Sequence, residues 1–166
     1  LNRATALAAP ALGVLAVASA GLGGVALVRS SLPPAVTPPP GLSAAATAAC
    51  TKVTAALPAT LAGQPRRTTR PGSPLTAAYG YPAITLRCGV REPGPSPDLD
   101  CMSGGTVDWI VVPQTGSTLL VSFARTPAVE LVVPGAYATA PLQALDAAVR
   151  TTAERGTGCT DVVPAG

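Results

Sequence analysis

No histidine occurs among the 166 residues. Ser-His-Asp and Cys-His catalysis, His-ligated zinc and imidazole proton shuttling are therefore excluded together. Aromatics are scarce too, with one Trp, three Tyr and one Phe, too few to stack successive bases of a nucleic-acid strand. Only 11% of residues are charged, and a single Lys, Lys52, accompanies ten Arg for a net charge of +3. No basic helix face or recognition-helix pattern goes with that excess, so nucleic acid is not expected as a partner. Arg66, Arg67 and Arg70 are the nearest approach to a basic cluster. A solvated loop accounts for them, with phosphate or anionic-lipid contact as the alternative. No Cys-x-x-Cys pair is present, which argues against a dithiol redox site and against structural zinc. Neither metal nor cofactor is expected.

One long uncharged run stands out. Residues 4–28 contain no charged side chain between Arg3 and Arg29. As a helix they would span about 37 Å, against about 30 Å for a hydrocarbon core. Leu, Val and Ala dominate, and no polar face interrupts them, as a soluble amphipathic helix would require. Residues 1–29 are therefore expected to be a transmembrane anchor, with the bilayer as partner through residues 4–28. The competing reading is a signal peptide cleaved after Ala18-Ser19-Ala20, which would release a secreted protein. Apolar character continues to Val28, which favours the anchor. Residues 30–42 hold five prolines and read as an extended polyproline spacer. Residues 43–166 then form the exported domain.

All four cysteines, Cys50, Cys88, Cys101 and Cys159, follow the apolar run. An even count in an exported chain reads as two disulfides. Three pairings are possible. The expected pairs are Cys88–Cys101, closing a Gly/Pro-rich loop, and Cys50–Cys159, tying the first helix to the C-terminal tail. Thr47-Ala48-Ala49-Cys50 is a poor lipoprotein box, because it does not follow the apolar run directly and carries Thr where Leu is usual.

Hydrophobic periodicity outlines the domain. Ser43 can cap a helix to about Leu57, with Ala46, Cys50, Val53 and Leu57 on one face. Residues 60–74 read as a Pro/Gly-punctuated loop. Alternation places Ile84, Leu86 and Cys88 inward, then Val107, Trp109 and Val111, then Leu119, Val121 and Phe123, then Val129, Leu131 and Val133. A last helix is expected from Pro141 to Gly156, with an apolar stripe of Leu142, Leu145, Ala148, Val149 and Thr152. The fold class is α+β: after the N-terminal transmembrane helix, a small two-layer sandwich of a mainly antiparallel four-stranded sheet and two helices.

Three stretches resemble the domain-of-unknown-function 3515 family, a group of small actinobacterial membrane-anchored or exported proteins. They are Ala78-Tyr79-Gly80-Tyr81-Pro82-Ala83-Ile84-Thr85-Leu86-Arg87-Cys88-Gly89-Val90, then Val107-Asp108-Trp109, and Arg125-Thr126-Pro127-Ala128-Val129-Glu130 with Val132-Val133-Pro134. Leu57-Pro58, Gly63 and Arg66-Arg67 fit the same pattern. The resemblance implies an N-terminal membrane or export segment and covers about 50–159. It carries no catalytic residue.

Charged side chains on the strands take the parity opposite the apolar ones. Arg87, Asp108 and Glu130, with Arg125, are the candidate ligand-binding residues; the simpler account is solvated cross-strand charge. Trp109 shares its parity with Val107 and Val111 and reads as core. The functional expectation is a membrane-anchored, extracytoplasmic module that binds an envelope protein or envelope component without catalysis. The alternative is an envelope-acting hydrolase or transferase using Asp108 and Glu130, if these converge from adjacent strands at carboxylate-pair distance.

Overall fold

The computed structural model describes residues 32–93, 100–137, 141–156 and 158. The apolar run at 4–28 and Cys159 lie outside the described residues, and among those described no helix is long and apolar enough to cross a membrane.

Helix α1 (Ala44–Ala56) starts where the sequence places it. The Ser43 hydroxyl accepts from the Ala46 N–H at 3.1 Å, satisfying one of the first-turn donors. The chain turns extended at Leu57, ahead of Pro58. Cys50, Val53 and Leu57 are buried on its inner face.

The strands are β1 (Thr60–Leu61), β2 (Gln64–Arg67), β3 (Thr76–Tyr79), β4 (Ile84–Val90), β5 (Asp100–Ser103), β6 (Asp108–Gln114), β7 (Ser117–Ser122), β8 (Arg125–Thr126), β9 (Ala128–Pro134) and β10 (Ala153–Glu154). Eight of them form one sheet in the order β1-β2-β3-β4-β9-β7-β6-β5, antiparallel at every pairing, and β8 with β10 makes a separate two-stranded ribbon. The sheet thus has eight strands where alternation implied four. The four missed members are short. Segment β2 reads Gln-Pro-Arg-Arg, with little intrinsic strand preference. It is held by tertiary context: Pro65 donates no hydrogen bond, but its carbonyl accepts from Gly80 at 3.1 Å.

Both helices share one face of the sheet and one core. Ile84, Leu86 and Cys88 of β4, Val129, Leu131 and Val133 of β9, and Trp109 meet α1 and the C-terminal helical segment there. That segment is shorter than expected, a 3-10 turn (Gln143–Leu145) followed by α2 (Asp146–Val149). Its stripe nonetheless buries Leu142, Leu145, Ala148, Val149 and Thr152 as the sequence implied. Strand β7 takes the other phase. Leu120 enters the main core, while Val121 and Phe123 are buried on the opposite side, where Phe123 packs with Ile110 and Ala124.

The disulfide pairing differs from the one expected. Cys50 of α1 is bonded to Cys88 of β4, with Cα atoms 5.4 Å apart and both residues fully buried. Cys101 is disulfide-bonded as well. The strand order explains why Cys88 does not take Cys101. Strands β9, β7 and β6 lie between β4 and β5, so four inter-strand steps separate them by about 19 Å, far beyond the roughly 7 Å that a disulfide spans.

The Pro-rich stretch is also part of the fold. From Pro33 onward the chain belongs to the same compact unit as the rest of the domain. The Pro34 carbonyl accepts from Arg70 N–H at 2.9 Å, Val36 N–H donates to the Arg70 carbonyl at 3.0 Å, and Val36 is buried. Extended prolines that make no ladder of their own still offer carbonyls to a neighbouring loop.

Candidate functional site

The register of β4 against β9 sets Arg87 directly opposite Glu130 on the face away from the helices. Arg87 Nε donates to Glu130 Oε1 at 2.6 Å and Arg87 Nη2 to Oε2 at 2.7 Å, the fork geometry that guanidinium and carboxylate match best. The Glu130 side chain is 13% exposed and that of Arg87 35%. The hydrogen bond to Glu130 raises the Arg87 pKa above its ordinary value, outweighing desolvation, with the carboxylate charge adding to it. Pro39, Pro40, Gly89, Val90 and Arg91 complete an open cleft of about 650 Å³ around the pair.

The other two candidates lie elsewhere. Asp108 stands on β6, and β7 separates that strand from β9. Asp108 and Glu130 therefore do not converge from adjacent strands, and both Glu130 oxygens are taken by Arg87. Arg125, only 6% exposed, lies in the β8–β10 ribbon; it meets Glu154 Oε2 at 3.3 Å and the Thr152 carbonyl at 3.4 Å. It borders a hollow of about 660 Å³ with Thr106, Ala147, Arg150, Thr151 and Glu154. Beside that hollow Asp146 accepts from Thr106 N–H at 2.8 Å and Val107 N–H at 3.1 Å, and pairs with Arg150 at 3.3 Å. Burial works to raise the Asp146 pKa, but these hydrogen bonds and the Arg150 charge prevail and lower it.

The residues that carry the family resemblance have structural roles. Tyr79 is fully buried and donates its hydroxyl to the Pro58 carbonyl at 2.9 Å, joining the β3–β4 hairpin to the end of α1. Desolvation raises its pKa against the pull of Arg66. Gly80 has φ +63, and a Cβ there would sit 2.6 Å from the Gln64 side chain, so both backbone and space require glycine. Trp109 is fully buried as expected, with Gly104 leaving room for its indole: a Cβ on Gly104 would stand 2.7 Å from Trp109 Nε1.

The Arg66, Arg67 and Arg70 cluster, which the sequence offers as a solvated loop or as a phosphate or anionic-lipid contact, gives two of its members to a third cleft, of about 450 Å³. Arg66, Arg67, Thr68, Thr69, Gly72, Ser73 and Thr76 line it. Arg67 Nη1 donates to the Gly80 carbonyl at 2.7 Å, and the Thr69 and Thr76 hydroxyls are 2.7 Å apart. Charge position along the chain singles out the same region. Eight of the eleven cationic residues and none of the eight carboxylates precede Glu92. Among the described residues no group of His, Cys, Asp or Glu is placed to hold a metal.

A family model described as a protein of unknown function, DUF3515, matches residues 6–157. No curated protein matches the chain, and no solved structure does.

Proposed function

The chain belongs to the DUF3515 family, and from that premise we propose that it is a membrane-anchored extracytoplasmic module that acts by binding at the cell envelope, not by catalysis. Residues 4–28 hold it in the bilayer and the domain from Pro33 onward stands outside the cytoplasm. The observation that carries this reading is the buried Cys50–Cys88 disulfide across the two layers of the domain. Together with the bonded Cys101, it fits an oxidising compartment. The family match begins at residue 6 and so takes in most of the apolar run, which supports reading that run as part of the protein's design. Binding in place of catalysis is supported by the state of the polar groups: Glu130 is locked to Arg87, and Asp146 to backbone amides.

The test is made in cells carrying the full chain. Washing membranes with alkaline carbonate is expected to leave the protein in the pellet. Protease added to intact, wall-stripped cells is expected to digest the domain. Maleimide should modify no cysteine until the protein is reduced. Recovery from the cytosol with four reactive thiols would overturn the proposal.

A further inference from the structure

The charge of the domain is divided along its sheet. Helix α1, strands β1–β4 and their connections, with Arg91 just past β4, carry Lys52, Arg66, Arg67, Arg70, Arg87 and Arg91 and no carboxylate; every acidic residue is Glu92 or later. Arg87 at the seam is neutralised by Glu130. Arg66 and Arg70 make no ion pair with any described carboxylate. A one-signed half of this kind sets up a field that attracts anions.

Within that half the Arg66/Arg67 cleft is built before any ligand arrives. The Thr69 hydroxyl is within 3.2 Å of the Pro71 carbonyl, that of Thr76 within 3.4 Å of the Ser73 carbonyl, and the Ser73 hydroxyl accepts from Leu75 N–H at 3.1 Å. These contacts fix the loop that lines a space of about 450 Å³ with Arg66, Arg67 and four hydroxyl-bearing residues, the Arg67 guanidinium being held by the Gly80 carbonyl. A guanidinium fork such as that of Arg66 suits phosphate oxygens, and the Ser73 hydroxyl, which accepts from Leu75 N–H, keeps its own proton to donate.

The position of the cleft says where the phosphate comes from. The polypeptide leading from the apolar run docks on this same loop, through Pro34 and Val36 to Arg70. Five residues lie between Val28 and Pro34, and the six steps along the chain give a covalent reach of at most about 20 Å. If residues 4–28 span the bilayer, the loop is tethered within reach of the headgroup layer and cannot stand several nanometres away.

From these observations we infer that the Arg66–Thr76 loop is a phosphate-binding surface for acidic phospholipid headgroups, in the leaflet from which the chain emerges. This rests on the anchor reading above. The contact would hold the cationic half of the sheet against the membrane and present the acidic half, with β5 at its edge, outward.

The experiment uses the full chain in nanodiscs of phosphatidylcholine, or of phosphatidylcholine with about a third phosphatidylglycerol. A fluorophore is attached at Thr37→Cys, exposed and next to the Val36–Arg70 contact, or at Met102→Cys, exposed on β5. A headgroup-linked nitroxide quencher reports proximity. In phosphatidylglycerol discs quenching at position 37 is expected to exceed that at 102 several-fold. It should fall at least threefold in phosphatidylcholine discs, in 0.5 M NaCl, and in Arg66→Gln/Arg70→Gln in the original lipid. Circular dichroism of the double variant, unchanged, separates lost binding from lost fold. Equal quenching in both lipids overturns the headgroup site and leaves the anchor standing. So does displacement from phosphatidylglycerol by millimolar inorganic phosphate at constant ionic strength, which assigns the cleft to free phosphate. A chain that elutes apart from the discs overturns the anchor, and the headgroup site with it.

Discussion

Replacing both cysteines of the buried bridge, as Cys50→Ala/Cys88→Ala, tests how the two layers are held together. The bridge spans 38 residues of sequence. Chain-entropy bookkeeping for a closed loop of that length gives about 4 kcal/mol of stabilisation at 25 °C. Both positions are fully buried in the interface between α1 and β4, and losing the two sulfurs adds roughly 1 kcal/mol at each. For a cooperative unit of roughly 130 residues the unfolding entropy near the midpoint is about 0.27 kcal/mol/K. Loop closure alone therefore corresponds to a Tm lower by about 15 °C. Calorimetry of the full chain in detergent, wild type against double variant, reads this directly. Non-reducing peptide mapping of the wild type should return Cys50 joined to Cys88, with Cys101 and Cys159 as the remaining pair. A variant melting within about 3 °C of wild type would refute the entropic reasoning, and a map joining Cys88 to Cys101 would refute the strand order that underlies it.

Two further outcomes follow from the charged groups. A double-mutant cycle on Arg87→Ala and Glu130→Gln should give a coupling of about 1–2 kcal/mol, between the exposed and the buried limits for ion pairs; Arg87→Lys should recover less than half of it, because an ammonium cannot donate as a fork. Urea titration measures both, and coupling below about 0.3 kcal/mol would show the pair to be solvated charge. Asp146→Ala leaves the Thr106 and Val107 amides without their acceptor and should cost about 2 kcal/mol. Because the folded-state pKa of Asp146 is lowered, its contribution is complete above the unfolded value near 4 and is lost as pH falls through the lower folded value. The stability difference between wild type and Asp146→Ala should therefore shrink below about pH 4, and a difference that stays constant to pH 2 would contradict that assignment.

The chain by itself determined the elements whose period is strong. Ser43 and the apolar face through Leu57 mark α1, and the alternations around Leu86, Trp109 and Leu131 mark β4, β6 and β9, because burial on one face of a sheet imposes period two on the side chains. It also determined that Arg87 and Glu130 would stand on the outer face. Periodicity does not say which strand lies beside which. The chain leaves β4 at the centre of the sheet and resumes at its far edge in β5, so Cys88 and Cys101, thirteen positions apart in sequence, end four strands apart in space. The same order separates Asp108 from Glu130 and joins Glu130 to Arg87. Period two also leaves the phase of β7 undetermined: Leu119-Leu120-Val121 is apolar at both parities, and only packing put Leu120 against the helices. The short strand β2 and the docked prolines owe their places to partners distant in sequence, Tyr79 and Arg70, whose backbones they complete. Local preference cannot select conformations whose hydrogen bonds are supplied from elsewhere in the chain.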